Sequence, residues 1–121
     1  MTDHSDGNAI IRLRQTLRLF AADRDWDQFH SPKNLAIALS VEAGELLEHF
    51  QWLTAEQSEK LSESDLAKVR LEMADVFLYL VSLSDKLGVD LATAAFEKIE
   101  LNAKKYPMER AKGSAKKYTE L

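Results

Sequence analysis

The 121-residue chain contains no cysteine, which excludes disulfide scaffolds, zinc–thiolate sites, iron–sulfur clusters and cysteine nucleophiles. It holds only four glycines and two prolines and few β-branched runs, so helices are the natural reading. No apolar run approaches a membrane span, and the polar start MTDHSDGN lacks the apolar stretch of a signal peptide. The expectation is a soluble, cytoplasmic protein. There is no basic excess: 16 Lys and Arg stand against 20 Asp and Glu. That balance argues against a duplex nucleic-acid partner. It leaves a phosphate substrate open, because a bound metal reverses the local field. No Walker A sequence, dinucleotide-binding glycine loop or GxSxG elbow occurs, so phosphate chemistry would fall to metal and lysine.

What is present reads as one all-α domain. The length suits a single globular unit with a core of its own. Residues 1–8 read as a disordered lead. Ile10, Leu13, Leu17 and Phe20 recur at three- and four-residue steps and predict a helix over 9–22. After a polar, aromatic segment, Ser31 and Pro32 start a second helix as N-cap and first helical residue, reaching about Trp52. Thr54 and Gln57 have the spacing of a capping box for one short turn. A third helix is predicted over 63–87, with Ser62 and Asp65 as a second capping box and Gly88 as its stop. A fourth is capped by Asp90 and ends near Lys105, ahead of Pro107. The bundle domain spans 9–107, and 108–121 reads as a mobile tail. The fold expected is a four-helix bundle.

Two acidic pairs carry the chemistry: Glu42 with Glu45, and Glu72 with Asp75. Residues three apart share a helix face. At about 100° per residue, with Glu42 as zero, Leu35, Leu46 and Leu39 fall at about 20°, 40° and 60°. With Glu72 as zero, Leu83, Val76 and Val69 fall at the same about 20°, 40° and 60°, and Tyr79 near about −20°. Both acids therefore sit inside apolar stripes rather than opposite them. Carboxylates facing a bundle interior need compensation, and hard cations such as Mg²⁺, or Mn²⁺ as a substitute, suit carboxylate oxygens. Glu48 lies about 120° from Glu42 and is a flanking acid or an auxiliary ligand. A di-iron bundle would need Glu-x-x-His pairs, but Leu46 and His49 follow Glu45 at the wrong spacing. That leaves His49 as a partner of a ligand or a helix-end residue.

Two further clusters admit two readings each. Lys98, Asn102 and Lys105 share a face of the fourth helix just before Tyr106. They form either a set of phosphate donors or a solvated helix end favoured by the macrodipole. Trp26, Phe29, His30 and Trp52 bracket the second helix. They serve either base stacking or core and interface packing.

Taken together, these residues resemble the MazG-like all-α nucleoside triphosphate pyrophosphohydrolases, and within them the dCTP pyrophosphatase branch. The resemblance covers about residues 10–121. It is carried by the Glu-x-x-Glu and Glu-x-x-Asp pairs, RDWDQFHSPKNLAIALSVEAGELLEHFQW, DVFLYLVSL, KYP and GSAKKYTEL. It implies that Glu42, Glu45, Glu72 and Asp75 are magnesium ligands. It places Trp26, His30, Trp52 and Tyr79 around base and sugar, and Lys98, Asn102 and Tyr106 near the triphosphate. Lys105 stands where the family carries Arg, and an ammonium lacks the planar fork of a bidentate phosphate grip.

The family assembles as dimers or tetramers. The near-continuous apolar run from Val76 to Leu83 fits that separately, because one bundle layer does not cover every side of it. The function expected is hydrolysis of dCTP or a 5-modified dCTP to monophosphate and pyrophosphate. Glu42 or Glu45 would orient or deprotonate the attacking water. The alternatives are a broad house-cleaning nucleotide hydrolase and a non-catalytic helical interaction module.

Overall fold

The computed structural model describes residues 6–121. Of the lead expected at 1–8, residues 1–5 lie outside the described residues, and residues 6–8 belong to the first helix. Among the described residues there are α-helices and 3₁₀ turns but no strand. No helix there is long and apolar enough to cross a membrane.

The all-α expectation holds, but six α-helices stand among the described residues where four were expected: α1 Asp6–Asp23, α2 Pro32–Glu48, α3 Ala55–Ser58, α4 Glu63–Leu87, α5 Leu91–Lys105 and α6 Met108–Ala111. Beyond the four longer helices, α3 is the short turn that the Thr54–Gln57 spacing predicts, and α6 is a single turn too short to show an apolar period. The chain forms two compact units, one running to Val89 and the other from Asp90 to Leu121.

In the first unit α4 packs mainly against α2 and also against α1. Leu35, Val69, Val81 and Ala21 form its buried centre. The buried Ser84 hydroxyl is satisfied by donating to the Val81 carbonyl at 2.7 Å. Helix ends follow local chemistry. The Ser31 hydroxyl accepts from the Asn34 amide at 3.1 Å, with Pro32 at the first helical position. Thr54 and Gln57 complete both halves of a capping box. Ser62 accepts from the Asp65 amide at 3.1 Å. Gly88, at φ 66°, closes α4: its amide bonds to the Asp85 carbonyl and that of Val89 to Ser84, a Schellman ending that needs a left-handed residue.

The second helix ends at Glu48 rather than near Trp52. His49 and Phe50 turn back to the Leu46 and Leu47 carbonyls, and Leu53 to Phe50, tightening the chain before Thr54 turns extended. In the second unit, the Asp90 carboxylate caps α5 by accepting from the Thr93 amide at 3.0 Å. The region read as a tail holds α6 and a 3₁₀ turn, Tyr118–Glu120. The Tyr118 ring meets Tyr106 edge-on at 6.0 Å between centroids.

Candidate functional site

The acidic pairs come from the two helices that pack most extensively, α2 and α4. One carboxylate oxygen each from Glu42, Glu45 and Glu72 lies within 4.8 Å of the others. Glu42 and Glu72 are half-buried, while Glu45 and Asp75 are exposed. Asp75 does not join the 4.8 Å set, although its charge acts on Glu42. Two buried oxygens, Glu42 Oε2 and Glu72 Oε1, have no hydrogen-bond partner. Orphaned buried carboxylate oxygens are costly. A convergent set of hard oxygen donors fits a divalent cation of the magnesium type.

Glu42 shows the strain of this arrangement. Its carboxyl is pushed up to about 7, first by the neighbouring Glu72 carboxylate, which favours a shared proton. Burial, the Glu45 carboxylate and the charge of Asp75 act in the same direction. Crowded acids in a half-dry site retain a proton unless a cation replaces it.

Next to Asp75 opens a cavity of about 580 Å³ walled by α1, α4 and the segment between α1 and α2. On α4 its wall follows one helical stripe: Asp75, Leu78, Tyr79, Ser82, Asp85 and Lys86. Trp26, His30 and Leu35 complete the apolar and aromatic side with Leu13, Leu17 and Phe20. The segment carrying Trp26 is locally fixed. Asp25 takes a left-handed φ of 55°, an uncommon conformation that Asp tolerates. It closes α1 with bonds from its own amide to Ala22 and from the Trp26 amide to Ala21. Trp26 then meets Phe20 edge-on at 5.7 Å, and the Arg24 guanidinium covers the Phe20 ring at 3.6 Å. Asn34 Nδ2 donates to the Phe29 carbonyl at 2.9 Å, tying this segment to the start of α2.

Trp26, His30 and Tyr79 thus share one cavity with Asp75, whereas Trp52 is 86% exposed and outside the cavity wall. Phe29 is also exposed. Lys98, Asn102, Lys105 and Tyr106 belong to the second unit, on α5 and its C-cap. There the Lys105 ammonium lies 5.0 Å from the Tyr118 ring centroid.

The sequence reading missed the charged part of the cavity wall: Arg14, Arg18, Asp27, Asp85 and Lys86. Arg18 holds Asp85 in a bidentate pair along one edge of its guanidinium, Nε donating to Oδ2 at 2.8 Å and Nη2 to Oδ1. Lys86 pairs with Asp27. The available signal was periodic, since Asp85 and Lys86 continue the α4 stripe from Asp75 and Tyr79 at three- and four-residue steps.

The MazG-like family model matches residues 37–121. Human and bovine proteins named dCTP pyrophosphatase 1 are 45% and 44% identical over 111 residues, which is 90% of this chain. The chain spans 65% and 66% of the length of those two relatives. The crystal structure of a pyrophosphatase from Archaeoglobus fulgidus superposes with a TM-score of 0.78 at 36% identity, covering 88% of this chain and 98% of that one.

Proposed function

The chain belongs to the MazG-like family, and from that membership we propose that it is a magnesium-dependent nucleoside triphosphate pyrophosphohydrolase. It converts dCTP, or a 5-modified dCTP, to the monophosphate and pyrophosphate. The observation that carries the reading is the meeting of Glu42, Glu45 and Glu72 within 4.8 Å beside a cavity that begins at Asp75. The substrate follows from relatives named for dCTP.

In this reading Glu42, Glu45, Glu72 and Asp75 hold the cation. When bound, it supplies positive charge that offsets the acids and stabilises charge developing on the phosphates. The remaining work belongs to the chain. Trp26, His30 and Tyr79 hold base and sugar in the cavity, and Trp52 joins them from the turn after α2. Glu42 or Glu45 accepts the proton of the water that attacks the α-phosphorus. Lys98, Asn102, Lys105 and Tyr106 hold the triphosphate, and the lysine charge steadies the departing pyrophosphate.

The functional form is a homo-oligomer, dimer or tetramer. Leu66, Met73 and Phe77 form an exposed apolar stripe on α4, and Ile37 and Val41 are exposed on α2. Apolar area of that kind marks a surface meant for burial. Incubating the purified chain with Mg²⁺ and dCTP tests the activity. Equimolar dCMP and pyrophosphate are expected; orthophosphate, or no product, contradicts the reading.

A further inference from the structure

Beyond Pro107 the chain turns back on the end of α5. The single turn α6 is followed by Gly113 at φ 77°, a left-handed backbone that glycine adopts without strain. The returning segment lays the Tyr118 ring against two residues at once. It meets the Tyr106 ring edge-on, with 6.0 Å between centroids and 82° between planes. The Lys105 ammonium stands over its face, 5.0 Å from the centroid. The first is a favourable aromatic geometry, and the second is within reach of a cation–π attraction.

A ring acts on a lysine differently from a carboxylate. Lys60 and Lys86 pair with Glu56 and Asp27, and those acids offset their charge. Among the described residues no carboxylate pairs with Lys105. The ring quadrupole attracts its ammonium yet leaves the full positive charge available to an anion. An ammonium on a flexible stem has no planar fork to set its direction, and ordering that stem costs rotamer freedom. A stem already held in place loses less of it when the ligand arrives.

We propose that Tyr118 is a positioning residue for the triphosphate. Tyr106 fixes its ring by the edge contact, and the ring holds the Lys105 ammonium directed and still charged for the β- and γ-phosphates. The proposal rests on reading Lys105 as a triphosphate donor of a nucleoside triphosphate pyrophosphohydrolase. A nucleoside monophosphate lacks those phosphates and gains nothing from the arrangement. The contact belongs to the ring face, so the Tyr118 hydroxyl is not needed for it.

Calorimetric titration of the full chain, with Mg²⁺ present, tests the proposal without turnover. The ligands are dCMP and the α,β-imido analogue of dCTP, which resists cleavage between the α- and β-phosphates. Tyr118→Leu should weaken the analogue by roughly fivefold and leave dCMP within about twofold of the parent chain. Tyr118→Phe keeps the ring and should bind both ligands as the parent does. In a Lys105→Met background, Tyr118→Leu should change analogue affinity by less than about twofold, because the ring acts through that ammonium. Tyr118→Gln repeats the removal of the ring if the leucine variant does not fold. Unchanged analogue affinity without the ring overturns the proposal. So does an equal loss for dCMP, an equal loss in Tyr118→Phe, or an undiminished loss in the Lys105→Met background. The underlying reading fails separately. Analogue binding by Lys105→Met as tight as the parent's, or no binding by the parent, removes Lys105 as a donor and overturns both. Weakened binding in Lys105→Met with none in Tyr118→Leu upholds the donor and overturns only the positioning.

Discussion

At Glu42 three neighbouring acids overturn the ordinary preference of a carboxyl for ionisation. Its proton is held up to about pH 7 against an ordinary value of 4.5. Between those limits the folded chain binds more protons than the unfolded one, so this group's contribution to stability falls as pH rises through the window. Asp27 and Asp85 titrate below 3.8 because Lys86 and Arg18 hold their charged forms. Their contribution is lost only as pH falls further, outside this window. The metal-free protein should therefore show a lower Tm at about pH 8 than at about pH 5.5 from this group, and Glu42→Gln should flatten that slope. Added Mg²⁺ should raise Tm more at the higher pH, where it need not displace a proton. Equal slopes for the parent chain and Glu42→Gln would remove Glu42 as the cause. The inward placement of Glu42 and Glu72 was legible because a helix period fixes which residues share a stripe. The partners of Arg14 and Arg18 were not. Asp85 lies 67 positions beyond Arg18, and only the packing of α1 on α4 brings them together.

Among the elements, short-range chemistry was legible wherever a cap or a left-handed residue defines an end. Ser31–Pro32, the Thr54–Gln57 box and Gly88 each have a local cause that one sequence displays. The end of α2 does not: residues 49–53 contain neither Gly nor Pro, and the turn there depends on hydrogen bonds back to Leu46 and Leu47. For the same reason α6 was hidden, since a single turn after Pro107 has no apolar period. The caps give measurable predictions. Gly88→Ala meets no steric neighbour within 4 Å, so its cost is backbone conformation at φ +66°. Chemical denaturation should show a loss of about 1 kcal/mol. Ser62→Ala should also cost about 1 kcal/mol by removing the acceptor of the Asp65 amide. A neutral result at Gly88 would mean that the ending of α4 relaxes in solution.

For the whole molecule, the exposed stripe of Leu66, Met73 and Phe77 should be covered by another copy of the chain. Light scattering should return a dimer or tetramer, and Phe77→Glu should shift the population toward monomer by burying an unpaired charge in the interface. A monomeric parent chain would remove the assembly from the account.

Carboxylates from α2 and α4 should share one divalent cation. Titrating Mg²⁺ into the full chain at pH 8 by calorimetry tests it directly, with Glu72→Gln as the comparison and thermal melting to confirm that the variant folds. Saturable binding by the parent chain, weakened by on the order of 10-fold or more in folded Glu72→Gln, is the result predicted. Equal affinity in both proteins, or no saturable binding in either, would contradict it.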